Sequence, residues 1–426
     1  MIAPARTAAL KALEGCRKTG EAVSVRCDRL DDSRLAERIT HGVLQNERFL
    51  DHCLSRFLSG GTAKLHPKVL DILRMSAFQI LFLDRVPASA AVNDAVQLCR
   101  KGRLAYASGM VNAVLRRLSE QKAELLQENI DPAVRYSCPD WLTDRLLAEH
   151  DAEFVRAFLE AGQTVPDLRL QINTARCTTE EYRRMLKDSG IPCLSFNEAF
   201  ASVLVPTGPV EELPGYREGL FYVQDDAAKA SVRIAGLRSG MKVLDACAAP
   251  GGKSISASLE GAEVLSADVS GKRLARCREN YKRLRMDIPV RQMDATVFDP
   301  ACREMYDAVI ADVPCSGTGV MRKHPEIRRR TEAELQQLKE VQKQILYNLS
   351  RYVRPGGTLL YSTCSVLPEE DEEQVAAFLR NHREYRLAPV ALEGFQCPGG
   401  MLRSWPQDHG NDGFFAAKLV KQDSSI

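Results

Sequence analysis

The sequence predicts an α/β fold in its C-terminal half, a doubly wound parallel sheet, preceded by an all-helical module and a small α+β subdomain. Three observations carry this. Short apolar runs alternate regularly with helical stretches from Met241 onward. Residues Ala5 to about Glu128 repeat their apolar positions at helical spacing, with few strand-like alternations. The stretch between them mixes one helical segment with brief alternating runs that turn residues interrupt.

A chain of 426 residues exceeds what one ordinary hydrophobic core supports, so more than one domain is expected. The first, over residues 1–130, shows helical periodicity at Val69, Leu70, Leu73, Ala77, Ile80 and Leu81, and again at Ala91, Ala95, Leu98 and Cys99. Gly60-Gly61, His66-Pro67 and Val86-Pro87 fall where that periodicity breaks. The second, over residues 131–235, has a helical stretch from Trp141 to Ala161 and candidate strands Leu168 to Ile172, Ser202 to Val205 and Leu220 to Val223. The third, over residues 236–426, has candidate strands Lys242 to Cys247, Glu263 to Val269, Pro289 to Met293, Asp307 to Val313 and Thr358 to Cys364. A long helix carrying Leu335, Leu338, Val341, Ile345, Leu349 and Val353 is expected to stop in a turn at Arg354-Pro355-Gly356-Gly357. Phe414, Phe415, Ala417 and Leu419 belong to closing strands.

Composition excludes several classes. Hydrophobic residues are 45% and charged ones 27%, no apolar run reaches membrane-spanning length, and the first twenty residues lack a signal-peptide core. A cytoplasmic protein without a membrane partner is therefore expected. The 13 cysteines are scattered without a CxxC pair, which points to free thiols and to no structural metal site. Residues 1–128 hold 20 Lys+Arg against 14 Asp+Glu, a difference of +6, and the remainder 38 against 42, or −4. The positive excess is local, and it suits either a phosphate-contacting module or ordinary solvated helix faces.

The chemistry-bearing residues fall at strand ends. The first strand of the third domain runs into Asp245-Ala246-Cys247-Ala248-Ala249-Pro250-Gly251-Gly252-Lys253, a glycine-rich turn ahead of a helix, where open α/β sheets bind ligands. Glycines let backbone approach a ligand without a Cβ, and Asp268 ends the next strand about twenty residues on, where a carboxylate takes ribose hydroxyls. A phosphate loop is excluded because a Walker motif here needs glycine at position 247, which is Cys247. An adenosine ligand without phosphates remains. Asp294 follows the third strand in the same manner, and three unrelated turn caps at successive strand ends would be an unusual coincidence.

The fourth strand ends in Asp312-Val313-Pro314-Cys315-Ser316-Gly317 and the fifth in Tyr361-Ser362-Thr363-Cys364-Ser365, so both cysteines belong to one edge of the sheet. Carbon 5 of a pyrimidine is a poor nucleophile. A thiolate adding to C6 makes C5 enamine-like, so that it accepts a methyl group. A second residue must then remove the C5 proton so that the thiolate is expelled, and a carboxylic group near N3 stabilises charge in the ring. Cys364, Cys315 and Asp312 fit these roles, although spacing does not decide which cysteine attacks.

The strings DACAAPGGK, DVPCSG and STCS, with RKHPEIR (Arg322 to Arg328) and YVQDDAA (Tyr222 to Ala228), resemble the RNA m5C methyltransferase family over about the last half of the chain. The strings ITHGVLQNERFLD, DRVPASAAVNDAV and GMVNAVLRRL are similar to the helical RNA-binding domain related to the antitermination factor NusB. The fusion resembles bacterial enzymes that methylate cytosine C5 in 16S rRNA. That resemblance implies a Rossmann-like class I methyltransferase domain behind an all-α NusB-like domain, and S-adenosylmethionine as cofactor. It implies that Cys247, Ala248, Ala249, Pro250, Gly251, Gly252 and Lys253 hold the cofactor, with Asp268 on the ribose, Asp294 near the adenine and Asp312 serving cofactor and cytosine alike. It assigns attack to Cys364 and base or release chemistry to Cys315, whereas DNA cytosine methyltransferases attack with the Pro-Cys residue. The implied partner is 16S rRNA, free or in an early small-subunit particle, presenting an unpaired or flipped cytosine.

The basic RKHPEIR segment suits phosphate contacts around the target nucleotide or an ordinary solvated loop. Two other readings of the whole chain compete with the enzyme. One is a non-catalytic RNA-binding or antitermination-type protein on a methyltransferase scaffold; the other is an adenine or protein methyltransferase, whose amino acceptor needs no paired thiols.

Overall fold

The computed structural model describes residues 3–20, 25, 27–408 and 410–423. The chain divides into two compact units. One comprises residues up to Thr164 together with Met321–Arg330; the other comprises Val165–Val320 and the chain from Thr331 onward.

The first unit is helical: α1 (Pro4–Thr19), α2 (Leu30–Gln45), α3 (Glu47–Ser55), α4 (Pro67–Phe82), α5 (Ala88–Lys101), α6 (Ser108–Glu120), α7 (Lys122–Gln127), α8 (Pro132–Arg135), α9 (Asp140–Glu149) and α10 (Ala152–Ala161). Pro4 and Pro67 occupy first helical positions, where the missing N–H is no loss. Helix α4 buries Val69, Ile72, Leu73, Ala77, Ile80 and Leu81 within a core shared with Ile39 and Val43 of α2, Ala91 and Leu98 of α5, and Val111 and Leu115 of α6. Its turns also carry polar groups, and these are paired. Arg6 of α1 donates to Gln79 Oε1 at 2.7 Å and pairs with Asp94 Oδ2 at 2.6 Å, so a buried guanidinium ties α1, α4 and α5 together. The helical stretch expected from Trp141 to Ala161 is two helices, α9 and α10, because Asp151 caps a new helix by accepting from Phe154 N at 2.8 Å.

The second unit holds two sheets. The smaller is antiparallel, in the order β2 (Ser195–Asn197), β3 (Ser202–Val205), β1 (Leu168–Ile172) and β4 (Phe221–Val223). Helix α11 (Thr179–Asp188) opens on a capping box between Thr178 and Glu181. It packs Tyr182 and Leu186 into one small core with Leu170, Ile172, Val203 and Phe221.

The larger sheet contains β5 (Lys242–Asp245), β6 (Glu263–Asp268), β7 (Val290–Gln292), β8 (Tyr306–Asp312), β9 (Val353–Thr363), β10 (Tyr385–Leu387), β11 (Leu402–Ser404) and β12 (Phe414–Lys421). Its order is β10-β12-β9-β8-β5-β6-β7, with β11 also on β12. Adjacent residues of one strand face opposite layers. Val243, Leu360 and Ala416 join one core with Ile255 of α13 (Gly252–Leu259), Leu274 of α14 (Gly271–Leu284) and Ala227 of α12 (Asp226–Ala235). Leu244, Leu359 and Phe415 join the other with Ile345 and Leu349 of α15 (Glu332–Ser350) and Val375 and Phe378 of α16 (Glu372–Asn381). Helices on both faces of a sheet are what makes the fold doubly wound.

Two expectations are corrected. The sheet is parallel only across β9-β8-β5-β6-β7; β12 pairs antiparallel with β9, and β10 and β11 pair antiparallel with β12, so the whole is mixed. And α15 ends at Ser350, while Arg354-Pro355-Gly356-Gly357 lies within β9, near the register irregularity opposite Tyr306 and Ala308. A proline near the start of a strand with glycines beside a bulge satisfies the same local rules that a turn does.

Candidate active site

Parallel pairing of β6, β5, β8 and β9 brings Asp268, Asp245, Asp312 and Thr363 to the carboxyl edge of the sheet. The ends of these strands and the segments that follow them carry the site residues expected from the sequence except Asp294, which follows β7 at the same edge.

After β5 the chain turns sharply. Gly251 N–H donates to Ala248 O at 2.7 Å, Ala248 N–H donates to Ala267 O at 2.8 Å, and α13 begins at Gly252. Gly251 has a φ of 108°, and a Cβ there would come within 2.7 Å of the Tyr281 ring, itself buried in α14. Side chains larger than hydrogen are excluded by both backbone and space. A Cβ on Gly252 would meet Gln224 at 2.9 Å. Gln224 Oε1 accepts from Ser256 Oγ at 2.8 Å, and the hydroxyls of Ser256 and Tyr222 lie 3.0 Å apart, so the YVQDDAA string props up the first turns of α13. In that string Asp225 caps α12 and Asp226 accepts from Gln171 at 2.7 Å.

Below the turn lies a chain of hydroxyls. Tyr281 and Ser266 lie 2.7 Å apart, Ser266 Oγ donates to Ser254 Oγ at 2.6 Å, and Ser254 Oγ donates to Asp245 Oδ2 at 2.7 Å. Asp245 is fully buried, which pushes its carboxyl up to about 7, the Ser254 hydrogen bond opposing and the nearby Asp312 carboxylate adding to the rise. Its Oδ1 has no hydrogen-bond partner among the described residues. Burial likewise pushes the Cys247 thiol far up, with Asp245, Asp312 and Asp268 adding to it, so Cys247 offers the turn its backbone rather than a thiolate.

Asp268 is buried, accepting from Ala249 N at 3.3 Å with one oxygen and from Ser270 N at 2.9 Å with the other. It therefore fixes the glycine turn to the start of α14. Asp294 is exposed, and one of its oxygens accepts from both the backbone and the hydroxyl of Thr296. Lys253 is buried on α13 with its ammonium 2.7 Å from Asp312 Oδ2 and 4.8 Å from the centre of the Phe414 ring. Ser362 Oγ donates to the other Asp312 oxygen at 2.9 Å. The cation on the turn is thus committed to a carboxylate, unlike the lysine of a phosphate loop. A glycine cradle, a buried carboxyl oxygen without a partner and an acidic edge fit a nucleoside carrying a positively charged sulfonium, as S-adenosylmethionine does.

Cys315 and Cys364 come together, their Sγ atoms 3.3 Å apart. Gly319, a few residues after Cys315, donates its N–H to Cys364 O at 3.0 Å, and a Cβ on it would overlap the Gly413 backbone at 2.2 Å. The hydrogen bond and charge of Cys364, with burial, push the Cys315 thiol well above its ordinary value. Cys315 therefore holds its proton at neutral pH and can donate it to Cys364 Sγ.

Sequence reasoning did not find the Lys253–Asp312 pair, the Ser254–Asp245 hydrogen bond or the buried Glu370 and Asp371 behind the cysteines. None is marked by local pattern, although Pro368-Glu369-Glu370-Asp371 soon after a strand-end cysteine is a dense run of acids. The phosphate role considered for RKHPEIR is corrected for its arginines. Arg328 is buried and donates to Met321 O and Gly162 O, each at 2.8 Å, and burial lowers its guanidinium to about 10. Arg322 is buried too, and the following Arg329 donates to Glu47 Oε2 at 2.7 Å.

Residues 234–420 match the family model described as 16S rRNA methyltransferase RsmB/F, residues 3–120 the NusB family, and residues 138–208 the ferredoxin-like domain of RsmF/B-like methyltransferases. Among curated proteins, the chain is 34% identical over 396 residues to ribosomal RNA small subunit methyltransferase B of Erwinia tasmaniensis, covering 92% of this chain and 91% of that protein. It is 32% identical over 432 residues to the protein of that name from Cronobacter sakazakii, covering 98% of each. Among solved structures, PH0851 superposes with a TM-score of 0.79 at 22% identity, covering 99% of both chains. NSun6 from Pyrococcus horikoshii, crystallised with SFG, gives 0.60 at 20% identity over 66% of this chain and 98% of its own.

Proposed function

The chain belongs to the 16S rRNA methyltransferase RsmB/F family, and from its paired thiols we propose that it methylates carbon 5 of a cytosine in small-subunit rRNA through a bond between Cys364 Sγ and C6. As a family member it is an S-adenosylmethionine-dependent rRNA methyltransferase. The observation that carries the finer reading is the 3.3 Å approach of two cysteines just beyond the ends of β8 and β9, because transfer to an amino group or a ribose hydroxyl needs no thiol.

The turn from Cys247 to Lys253, Asp268 and Asp294 would hold S-adenosylmethionine, with Asp312 shared between it and the base. When bound, it supplies an electrophilic methyl group. The protein's part is the activation of C5. As a thiolate, Cys364 Sγ adds to C6, and the electron pair of the C5–C6 double bond becomes available at C5, which would bond to the methyl carbon as that carbon's bond to the sulfonium sulfur breaks. Asp312, held by Lys253 and Ser362, would pass a proton to N3 as negative charge develops there. C5 then carries both a hydrogen and a methyl group. Removal of that proton restores the double bond and expels Cys364 as a thiolate.

Cys315 suits proton removal for a reason internal to the pair. Two of the influences that raise its thiol are the hydrogen bond it donates to Cys364 and the charge on Cys364. Both vanish once Cys364 Sγ is bonded to carbon. Attack by one cysteine thereby makes the other easier to ionise, so that Cys315 can lose its thiol proton to solvent and then take the proton from C5.

On the division of labour, we read residues 1–130 as the NusB-like RNA-binding domain, 131–235 as the subdomain leading into the core, and 236–426 as the catalytic domain. The test is transfer of labelled methyl from S-adenosylmethionine to unmethylated small-subunit rRNA, followed by digestion to nucleosides. Label in 5-methylcytidine is the expected result. Label on another base or atom would overturn the C5 assignment, and no transfer to small-subunit rRNA would overturn the substrate.

A further inference from the structure

Both reactive loops are held from behind by two consecutive acids. Glu370 is fully buried and accepts three hydrogen bonds: from Ser316 N at 2.8 Å, from Ser316 Oγ at 2.5 Å and from Gln342 Nε2 at 2.8 Å. Its backbone carbonyl also accepts from Tyr361 OH. Asp371, equally buried, accepts from Thr363 Oγ1 at 2.5 Å and from Arg403 Nη1 at 2.9 Å. Thr363 Oγ1 in turn accepts from Ser365 N at 3.2 Å. Ser316 follows Cys315 and Thr363 precedes Cys364, so each acid grips the neighbour of one cysteine.

Two adjacent buried carboxylates are an expensive way to fill a core, since an apolar pair of similar volume generally folds at least as well. What they provide instead is direction. Each accepts two or more bonds of fixed geometry, and a single peptide unit, about 3.8 Å between Cα atoms, joins them. The Ser365 hydroxyl adds a cross-link, lying 3.3 Å from both Ser316 Oγ and Thr318 Oγ1. From this geometry we infer that Glu370 and Asp371 are positioning residues that set the separation of the two thiols, Glu370 through the Cys315 turn and Asp371 through the Cys364 strand end. The inference rests on the two-cysteine reading above.

The consequence is asymmetric. Loss of the Glu370 grip displaces Cys315, the residue of the release step, so Cys364 still attacks and the enzyme remains bonded to RNA. Loss of the Thr363 hydroxyl displaces Cys364, so attack itself slows and no bonded species builds up. Displacements near 1 Å are enough to cost about a hundredfold in rate.

The experiment compares full-length wild type, Cys315→Ala, Glu370→Ala, Glu370→Gln and Thr363→Val on unmethylated small-subunit rRNA. It reads kcat, S-adenosylmethionine affinity, covalent protein–RNA complex on denaturing gels, and melting temperature. Glu370→Ala is expected to lower kcat by about a hundredfold, to hold cofactor affinity within about twofold, and to accumulate complex as Cys315→Ala does. Glu370→Gln keeps an acceptor for Ser316 N–H and is expected to recover most of the rate. Thr363→Val, nearly isosteric, is expected to lower kcat without accumulating complex. Wild-type turnover in Thr363→Val would overturn the inference even if Glu370→Ala fails to fold. So would complex in Cys315→Ala with none in a folded Glu370→Ala. Absence of complex in Cys315→Ala itself would sink the two-cysteine reading and this inference with it.

Discussion

Cys315 and Cys364 stand 49 residues apart in the chain and 3.3 Å apart at their sulfurs. That approach comes from strand order: β8 and β9 are adjacent and parallel, with Asp312 opposite Ser362, so the residues just beyond their ends emerge side by side.

Replacing either cysteine should stop turnover at a different step. Cys364→Ala removes the attacking sulfur without touching the glycine turn, so methyl transfer should fall below detection while S-adenosylmethionine still binds, as read by calorimetric titration. Cys315→Ala should attack yet release slowly, leaving protein attached to RNA on a denaturing gel. Unchanged turnover in Cys364→Ala would remove it as nucleophile.

Lys253→Met should weaken the site through Asp312. The lysine is buried, and its loss leaves a carboxylate that is only about one third exposed without its ammonium partner; Asp312 side-chain exposure is 31%. Screening by solvent on that side limits the effect, so a fall in kcat/KM of about tenfold, on the order of 1.4 kcal/mol, is expected. Steady-state kinetics at fixed RNA checks this, and an unchanged kcat/KM would leave the pair without a part in the reaction.

Stability should carry a signature of Asp245. Its carboxyl titrates at about 7 in the folded chain against 3.8 for the ordinary group, so between those values the folded state keeps a proton that the unfolded state has lost. Its contribution is therefore fully present below pH 3.8 and is lost as pH rises through 7. Asp245→Asn removes that dependence. Wild type should lose stability relative to the variant between pH 4 and 7, with an upper bound on the order of 4 kcal/mol. Denaturation of both proteins across this range measures it, and parallel pH profiles would contradict it.

Arg328→Ala should act on folding and leave RNA electrostatics alone. Removing a buried guanidinium frees the carbonyls of Met321 and Gly162 from their charged donor, a loss of about 2 to 3 kcal/mol. Because this group faces protein, the slope of log affinity against log salt for rRNA should stay as in wild type. A slope smaller by about 1 with an unchanged melting temperature would instead restore the phosphate role.

The sheet edge that gathers the candidate site residues is legible in the sequence. In a doubly wound sheet the carboxyl ends of parallel strands share one side, so Asp245, Asp268, Asp312 and Cys364 could be assigned to it from strand ends without coordinates. The helical character of α4 and α5 was legible for a similar reason, since a 3.6-residue period survives in any tertiary setting. Strand direction was not. Nothing in Phe414 to Leu419 says whether the segment runs with or against β9, because both pairings bury the same alternating face. Arg328 was equally opaque, since a basic residue in a loop reads as solvated until its partners, Met321 and Gly162, are known.

Local sequence thus determined the element types, the glycine turn and which strand ends carry the thiols and acids proposed to react, because periodicity and backbone freedom are properties of a residue and its near neighbours. Tertiary structure alone decided which groups touch: Lys253 with Asp312, Ser254 with Asp245, Glu370 with Ser316, and Asp371 with Thr363. Those pairings set charge and position in the site, and they depend on burial and on contacts across the sheet edge, which no window along the chain contains.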